Sequence, residues 1–389
     1  MTIQGNSILA EYGVTVFEVM SRLAIEHGSI NLGQGFPDDN GPADVRAVAA
    51  EALEDRPNQY PPMMGVPELR QALAAHGKRF YDLDVDWQTE TIVTSGATES
   101  LAACFLGLIE PGDEVVCFEP LYDSYLPMIR RAGGIPKLVR LSPPDWRVPE
   151  EALRSAFGPK TKLVLLNNPL NPAGKRFSRE ELQLLADLVI EHDVVAICDE
   201  VYEHIVFDDR DHIPLISLPG MRDRAIKIGS AGKTFSLTGW KVGYMTGDAE
   251  LLQRVAKAHQ FLTFTTAPNL QRAVAFGLMK DDFYFGTLSS GMQSKRDRIR
   301  DGLIEAGFEP AVCEGTYFLN ADIRPLGFNG NDVDFCRHIT LEAGVTAVPV
   351  SAFYASADAP SNFVRFCFSK QDELLDEAVA KLKAYFARG

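Results

Sequence analysis

Gly229-Ser230-Ala231-Gly232-Lys233-Thr234-Phe235-Ser236-Leu237-Thr238-Gly239-Trp240-Lys241-Val242-Gly243 follows directly on the short apolar run Ala225–Ile228. An apolar run that stops in a loop of small and hydroxylic residues reads as a buried strand delivering its loop to one edge of a sheet. Lys233 sits in that loop, and Lys241 follows further along the same stretch. An amine placed there can condense with a carbonyl. Small residues let the backbone approach a phosphate, Ser230 offers a hydroxyl, and Lys241 supplies a point charge. The stretch therefore has what is needed to hold an aldehyde cofactor covalently and its phosphate by charge. Taken alone, a surface loop with two solvated lysines is the simpler account, and the rest of the chain has to decide.

Working outward, the same strand-then-loop pattern recurs. Glu114–Phe118, Leu163–Asn167, Val194–Cys198 and Ala225–Ile228 are short runs rich in Val and Ile, with helical patterns such as Thr98–Ile109 and Arg179–Glu191 interspersed. Such alternation predicts an α/β fold with a mostly parallel sheet covered by helices. Ligands of such sheets sit beyond the carboxyl ends of the strands, where Asn168, Asp199 and Ser230 fall. After about residue 280 the pattern becomes mixed: a long helix over Asp282–Gly307, strands at Thr316–Ile323, Val345–Val350 and Phe363–Phe368, and helices from Asp332 and Asp372. A helix over Val14–Glu26 and a Gly/Pro-rich loop, Gly33-Gln34-Gly35-Phe36-Pro37-Asp38, precede the alternating region. The expected division is a large domain over 45–280 and a smaller α+β unit formed by 1–44 with 281–389.

The 389 residues are enough for two domains, and 46% hydrophobic with 23% charged content suits a soluble globular protein. A net charge of −15 argues against a nucleic-acid partner, which requires a basic surface, while leaving room for a local basic pocket. Six cysteines occur without a C-x-x-C pair, and most lie in apolar runs, so buried reduced thiols are expected and no metal site. The first cationic residue is Arg22, and no apolar stretch reaches the roughly 18 residues of a membrane span. These features lead us to expect a cytoplasmic protein with no membrane partner.

Several residues beyond the opening stretch carry candidate chemistry. Asp199 ends Val194-Val195-Ala196-Ile197-Cys198, and a carboxylate at the mouth of a buried strand needs a partner. A protonated pyridine nitrogen would serve, and a cap for the next helix is an equal alternative. Tyr202 is one helical turn on, with packing as its commoner role. Asn168-Pro169-Leu170-Asn171-Pro172-Ala173-Gly174 is a stiff loop that fixes the Asn171 amide, although turn chemistry explains it as well. Ser95-Gly96-Ala97-Thr98-Glu99-Ser100 opens a helix and reads as a phosphate seat or as an ordinary capped start. Tyr122 follows a strand and is placed to stack on a ring or to pack in the core. Arg365, amid Phe363-Val364-Arg365-Phe366-Cys367-Phe368, calls for an anion. A substrate carboxylate is preferred over a protein acid or solvent.

Together these motifs resemble the class I/II aminotransferases, the fold-type-I enzymes of pyridoxal 5'-phosphate, over nearly the whole chain from Asn31 to Lys370. The similarity is strongest to the kynurenine/glutamine transaminase and methionine aminotransferase branch. The resemblance implies that Lys233 forms the Schiff base and moves protons, that Asp199 pairs the pyridine nitrogen, and that Tyr202 and Asn171 contact the ring oxygen. It implies that Ser230, Lys241 and the Gly96-Ala97-Thr98 backbone hold the phosphate, that Tyr122 stacks on the ring, and that Arg365 takes the substrate carboxylate, with Gly35 and Asn171 beside it. It further implies a homodimer with shared active sites, in which Tyr60 reaches the partner subunit's phosphate and Phe264 and Thr265 line its pocket. Tyr60 and Phe264 are, by their own pattern, equally well core residues.

Tyr12, Phe17, Tyr122 and Phe264 suggest an aromatic-lined pocket, and no second cation for a distal carboxylate is evident. The expected donors are thus neutral amino acids with aromatic, thioether or amide side chains, with a 2-oxo acid as acceptor. Two alternatives use the same cofactor residues: a cysteine-conjugate or cystathionine β-lyase, and an N-succinyl-diaminopimelate aminotransferase. A non-catalytic sensor built on this fold would carry a DNA-binding unit and a basic surface, which suits neither the acidic charge nor the presence of Lys233.

Overall fold

Seven strands form the central sheet of the computed structural model, which describes residues 5–356 and 358–387. They are β1 Thr91–Thr94, β2 Glu114–Glu119, β3 Ile135–Arg140, β4 Thr161–Asn167, β5 Val195–Asp199, β6 Ala225–Ser230 and β7 Gly243–Gly247, in the spatial order β1-β7-β6-β5-β4-β2-β3. Strands β2 to β6 pair in parallel, and β7 runs antiparallel to both neighbours. Both faces are covered, as the continuous Val/Ile runs require. Val116, Phe118, Val164, Leu166, Ala196 and Cys198 enter one hydrophobic cluster, while Val115, Cys117, Leu163, Leu165, Ile197 and Ile226 enter the other. The strict alternation along each strand is what divides them.

The expected strands β2, β4, β5 and β6 are present with ends shifted by at most two residues, and the helix Arg179–Glu191 lies where its pattern put it, started by a capping box between Ser178 and Glu181. Strands β1, β3 and β7 carried no clear sequence signal. β3 contains Pro136 and occupies an edge, where a missing N–H is tolerated. β7 is bounded by Gly243 and Gly247, which weaken any strand pattern. Gly243 is nonetheless required: a Cβ there would stand 2.4 Å from the Gly96 carbonyl carbon.

A second, antiparallel sheet takes Val348–Pro349, Phe363–Cys367, Phe318–Asp322 and Glu309–Pro310 in that spatial order. The helices Asp282–Glu305 and Asp372–Phe386 pack together beside it, with Gly302 letting them approach: a Cβ there would lie 2.5 Å from Val379. The run Val345–Val350, expected as one strand, is two. Val345–Thr346 pairs in parallel with Ile30–Asn31, and Val348–Pro349 pairs with Phe363–Cys367. This switch ties the N-terminal segment to the second sheet, after the helix Val16–His27 has ended at Gly28 in the left-handed conformation (φ 59°). All six cysteines are buried and unpaired. Among the described residues, no helix is long and apolar enough to cross a membrane.

Candidate active site

Asn167, Asp199 and Ser230 are the last residues of β4, β5 and β6, and all three open into one cavity of about 440 Å³. The location follows from the parallel sheet, whose carboxyl ends leave a crevice between the outgoing loops. Gly35, Gly96, Ala97, Thr98, Tyr122, Asn171, Tyr202, Lys233, Lys241 and Arg365 also line it. Asn168 does not: it is buried, and its Oδ1 accepts the Phe177 N–H, so its role is to shape the loop. Its neighbour Asn167 faces the cavity instead, since successive residues of a strand point to opposite sides.

Lys233 is half-buried in the single helical turn Ala231–Thr234 that follows β6. Its Nζ donates to the Tyr317 hydroxyl at 2.9 Å and lies 5.7 Å from the centre of the Tyr202 ring. Asp199 is 5% exposed. Its Oδ2 accepts the Tyr125 hydroxyl at 2.5 Å, while Oδ1 is buried with no hydrogen-bond partner. Burial pushes the Asp199 carboxyl up to about 6, against the opposing pull of Tyr125, the Val201 N–H and Lys233. A buried carboxylate oxygen without a donor is chemically suited to a ring N–H⁺.

The expected phosphate seat is built by close approach. Gly96 caps the helix Ala97–Leu108 with φ 82°, and an added Cβ would fall 3.1 Å from Lys241 Cε and 3.2 Å from its Nζ. Lys241 itself holds a left-handed backbone (φ 53°) that turns it back over the helix start. The N-terminal N–H groups and the ammonium thus converge on one anion position. The acid at that end, Glu99, is engaged: it accepts from the Ser95 N–H and from His259 Nδ1 at 2.5 Å. Burial works against charge on His259, but Glu99 outweighs it and the imidazole is raised above its ordinary value.

Arg365 is 1% exposed, and among the described residues its guanidinium bonds an amide and a backbone carbonyl rather than a carboxylate. Desolvation lowers it to about 10. Its guanidinium stands 4.0 Å from the centre of the Phe318 ring, Nη2 donates to the Gly33 carbonyl, and Nη1 donates to Asn171 Oδ1. Because Oδ1 of Asn171 is used in this way, its Nδ2 is the atom left to donate.

Tyr60, Phe264, Thr265 and Tyr12 do not line the cavity of this chain. Tyr60 is 83% exposed, and Phe264 packs edge-on against it on the surface, with ring centres 5.7 Å apart. Tyr12 lies outside as well, where its hydroxyl accepts from Arg130 at 3.0 Å. The sequence reading did not single out Asn167, Tyr125 or Tyr317 as functional. Tyr125 is three residues past Tyr122, where the helix Tyr125–Arg131 begins, and the two rings meet edge-on with centres 5.7 Å apart. Tyr317 carries no local signal, since only the packing of the second sheet brings it to Lys233.

Behind the Asp199–Tyr202 segment, His76, Glu203 and His204 bring potential ligand atoms within 4.8 Å of one another. Glu203 is already held by Lys227 at 2.6 Å and by the Tyr81 hydroxyl at 2.6 Å, and burial lowers His76 to about 4. A cation there would face the Lys227 ammonium.

A family model described as aminotransferase class I and II matches residues 28–382. The chain is 43% identical to a Mycobacterium tuberculosis protein named "Probable N-succinyldiaminopimelate aminotransferase", over 98% of each. A solved N-succinyldiaminopimelate aminotransferase structure from M. tuberculosis superposes with a TM-score of 0.95, covering 98% of this chain and 100% of that one. Identity is 39% to the Escherichia coli methionine aminotransferase, over 97% of each, and 38% to the rat kynurenine–oxoglutarate transaminase 3, over 96% of this chain and 88% of the relative.

Proposed function

Because this chain belongs to the class I and II aminotransferases, we propose that it moves the amino group of a neutral L-amino acid to a 2-oxo acid with pyridoxal 5'-phosphate as cofactor. The observation that carries the donor class is the inventory of cations. Among the described residues of this chain, Lys233, Lys241 and Arg365 are the cationic ones lining the cavity, and each has a task. None is left for a distal carboxylate, and Asp123 adds an acid to the lining. Phe17, Phe36, Tyr122 and Phe318 give the remaining wall an aromatic character suited to methionine, phenylalanine, kynurenine or glutamine.

The residues fit the cofactor. The free Oδ1 of Asp199 suits a ring N–H⁺, Tyr202 and Asn171 Nδ2 are donors for the ring oxygen, and Tyr122 offers a stacking face. Ser230, Lys241 and the Gly96-Ala97-Thr98 turn suit the phosphate. When bound, the cofactor supplies an aldehyde carbon that takes up an amine and a ring that draws electrons from the substrate's Cα. The chain does the rest. Arg365 holds the α-carboxylate by its fork and fixes the orientation of Cα. Lys233 Nζ would take the proton from Cα and deliver it to the cofactor's aldehyde carbon, a contribution of roughly 10²–10⁴-fold for a well-placed base. Asp199 keeps the ring nitrogen charged. Tyr60 and Phe264, exposed here, are assigned to the partner's site in a homodimer.

The more identical relative favours a second reading, N-succinyl-diaminopimelate as donor. A half-reaction screen separates the two. The cofactor-loaded protein is mixed with each donor without acceptor, and the loss of the Lys233-bound cofactor absorbance is timed. Methionine, glutamine, phenylalanine or kynurenine should react well ahead of aspartate and of N-succinyl-diaminopimelate, and the reverse order overturns the donor assignment. Release of pyruvate and ammonia from a β-substituted amino acid, without acceptor, would instead mark a lyase.

A further inference from the structure

Tyr317 is fully buried where the chain enters the strand Phe318–Asp322. Its ring is held edge-on by Tyr202, with centres 5.2 Å apart, and by Phe318 at 4.7 Å. A phenol has one hydrogen to give. That hydrogen goes to the Gly35 carbonyl at 2.8 Å, so the oxygen presents only lone pairs to Lys233 Nζ at 2.9 Å. Burial pushes the phenol well above its ordinary value, which keeps it neutral over the working range. The group facing the lysine is therefore a fixed, neutral acceptor.

We propose that Tyr317 is a positioning residue that holds the Lys233 amine where it exchanges a proton with the substrate's Cα. The inference rests on the reading that Lys233 carries that proton. A lysine side chain has four rotatable bonds, and an acceptor of fixed direction selects one placement of the amine. The same contact reaches the substrate clamp. Gly35 belongs to the loop whose Gly33 carbonyl is held by Arg365 at 2.8 Å and whose Phe36 carbonyl is held by Lys370 at 3.0 Å. The proton-carrying amine and the carboxylate fork are thus registered to one short loop.

The test is Tyr317→Phe in the cofactor-loaded protein, with methionine as donor. Cofactor affinity and the borohydride-fixed adduct on Lys233 should be retained, because the residues assigned to ring and phosphate are untouched. The half-reaction should slow by roughly 10- to 100-fold. The loss should fall on kcat more than on KM, and the isotope effect from deuterium at Cα should grow as proton transfer becomes limiting. A purely structural role, acting through the loop, would raise KM and leave the isotope effect unchanged, and that result overturns the proposal. If the variant does not fold, 3-fluorotyrosine at position 317 keeps the shape and weakens the oxygen as an acceptor. It should move the rate and the isotope effect in the same direction by less, and no movement counts against the proposal. Absence of a borohydride-fixed adduct in the unsubstituted protein would sink the aminotransferase reading itself. An adduct in both proteins with equal proton-transfer rates sinks only the role of Tyr317.

Discussion

At the scale of single residues, Asp199 is the side chain whose energetics and chemistry are most closely linked. Its carboxyl rises from the ordinary 3.8 to about 6 in the fold, and burial is the main cause. A folded value above the unfolded one means the contribution is fully present below the unfolded pKa and is lost as pH climbs through the folded pKa. The cofactor-free protein should therefore lose up to about 3 kcal/mol from this group as pH goes from 4 to 6 and above. Other carboxyls titrate nearby, so the readout is a difference. Denaturant unfolding of wild type and Asp199→Asn across pH 4–7 should show this segment of the profile flattened in the variant. Loading the cofactor should abolish the difference in slope, since a ring N–H⁺ stabilises the charged form. At pH 7 the variant should lose catalysis by roughly 10²–10⁴-fold, because an amide cannot hold the ring nitrogen charged.

At the scale of elements, the proposed phosphate seat depends on how closely β7, the helix Ala97–Leu108 and the loop carrying Lys241 can approach. Glycines at 96 and 243 permit it for different reasons. Gly96 has a positive φ of 82°, and a methyl group there would press on the flexible end of Lys241. Gly243 faces backbone, with a Cβ 2.6 Å from the Ala97 nitrogen. Gly96→Ala should thus cost about 1 kcal/mol of stability from backbone strain while reducing cofactor affinity by roughly tenfold, as Lys241 is pushed from its anion position. Gly243→Ala should cost more stability, because backbone cannot step aside. Thermal unfolding and cofactor titration, run on both variants, check the contrast. An equal loss of affinity and stability in the two would argue against a seat formed by Lys241.

At the scale of the whole molecule, Tyr60 (83% exposed) and Phe261 (85% exposed) are large aromatic surfaces left open by a single chain. Light scattering should give twice the chain mass. Subunits carrying Lys233→Ala and Tyr60→Phe, inactive or impaired alone, should recover activity when co-expressed, because one site of the hybrid then has both groups intact. No recovery would place Tyr60 outside the shared site. What the sequence by itself determined was local: strands rich in Val and Ile between helical patterns, and polar residues at the strand ends. Those are dictated by the period of side-chain exposure and by which backbone can end a buried strand. Lys233, Asp199 and Ser230 were legible for that reason. Tertiary structure decided which residues meet across distance. Tyr317 reaches Lys233 only because the second sheet packs against the loop at Gly35, Tyr125 at the start of the helix Tyr125–Arg131 finds Asp199 at the end of β5, and Val345–Val350 divides between two partners. Contacts between residues far apart in the chain are set by the packing of whole elements, and no short pattern along the sequence encodes them.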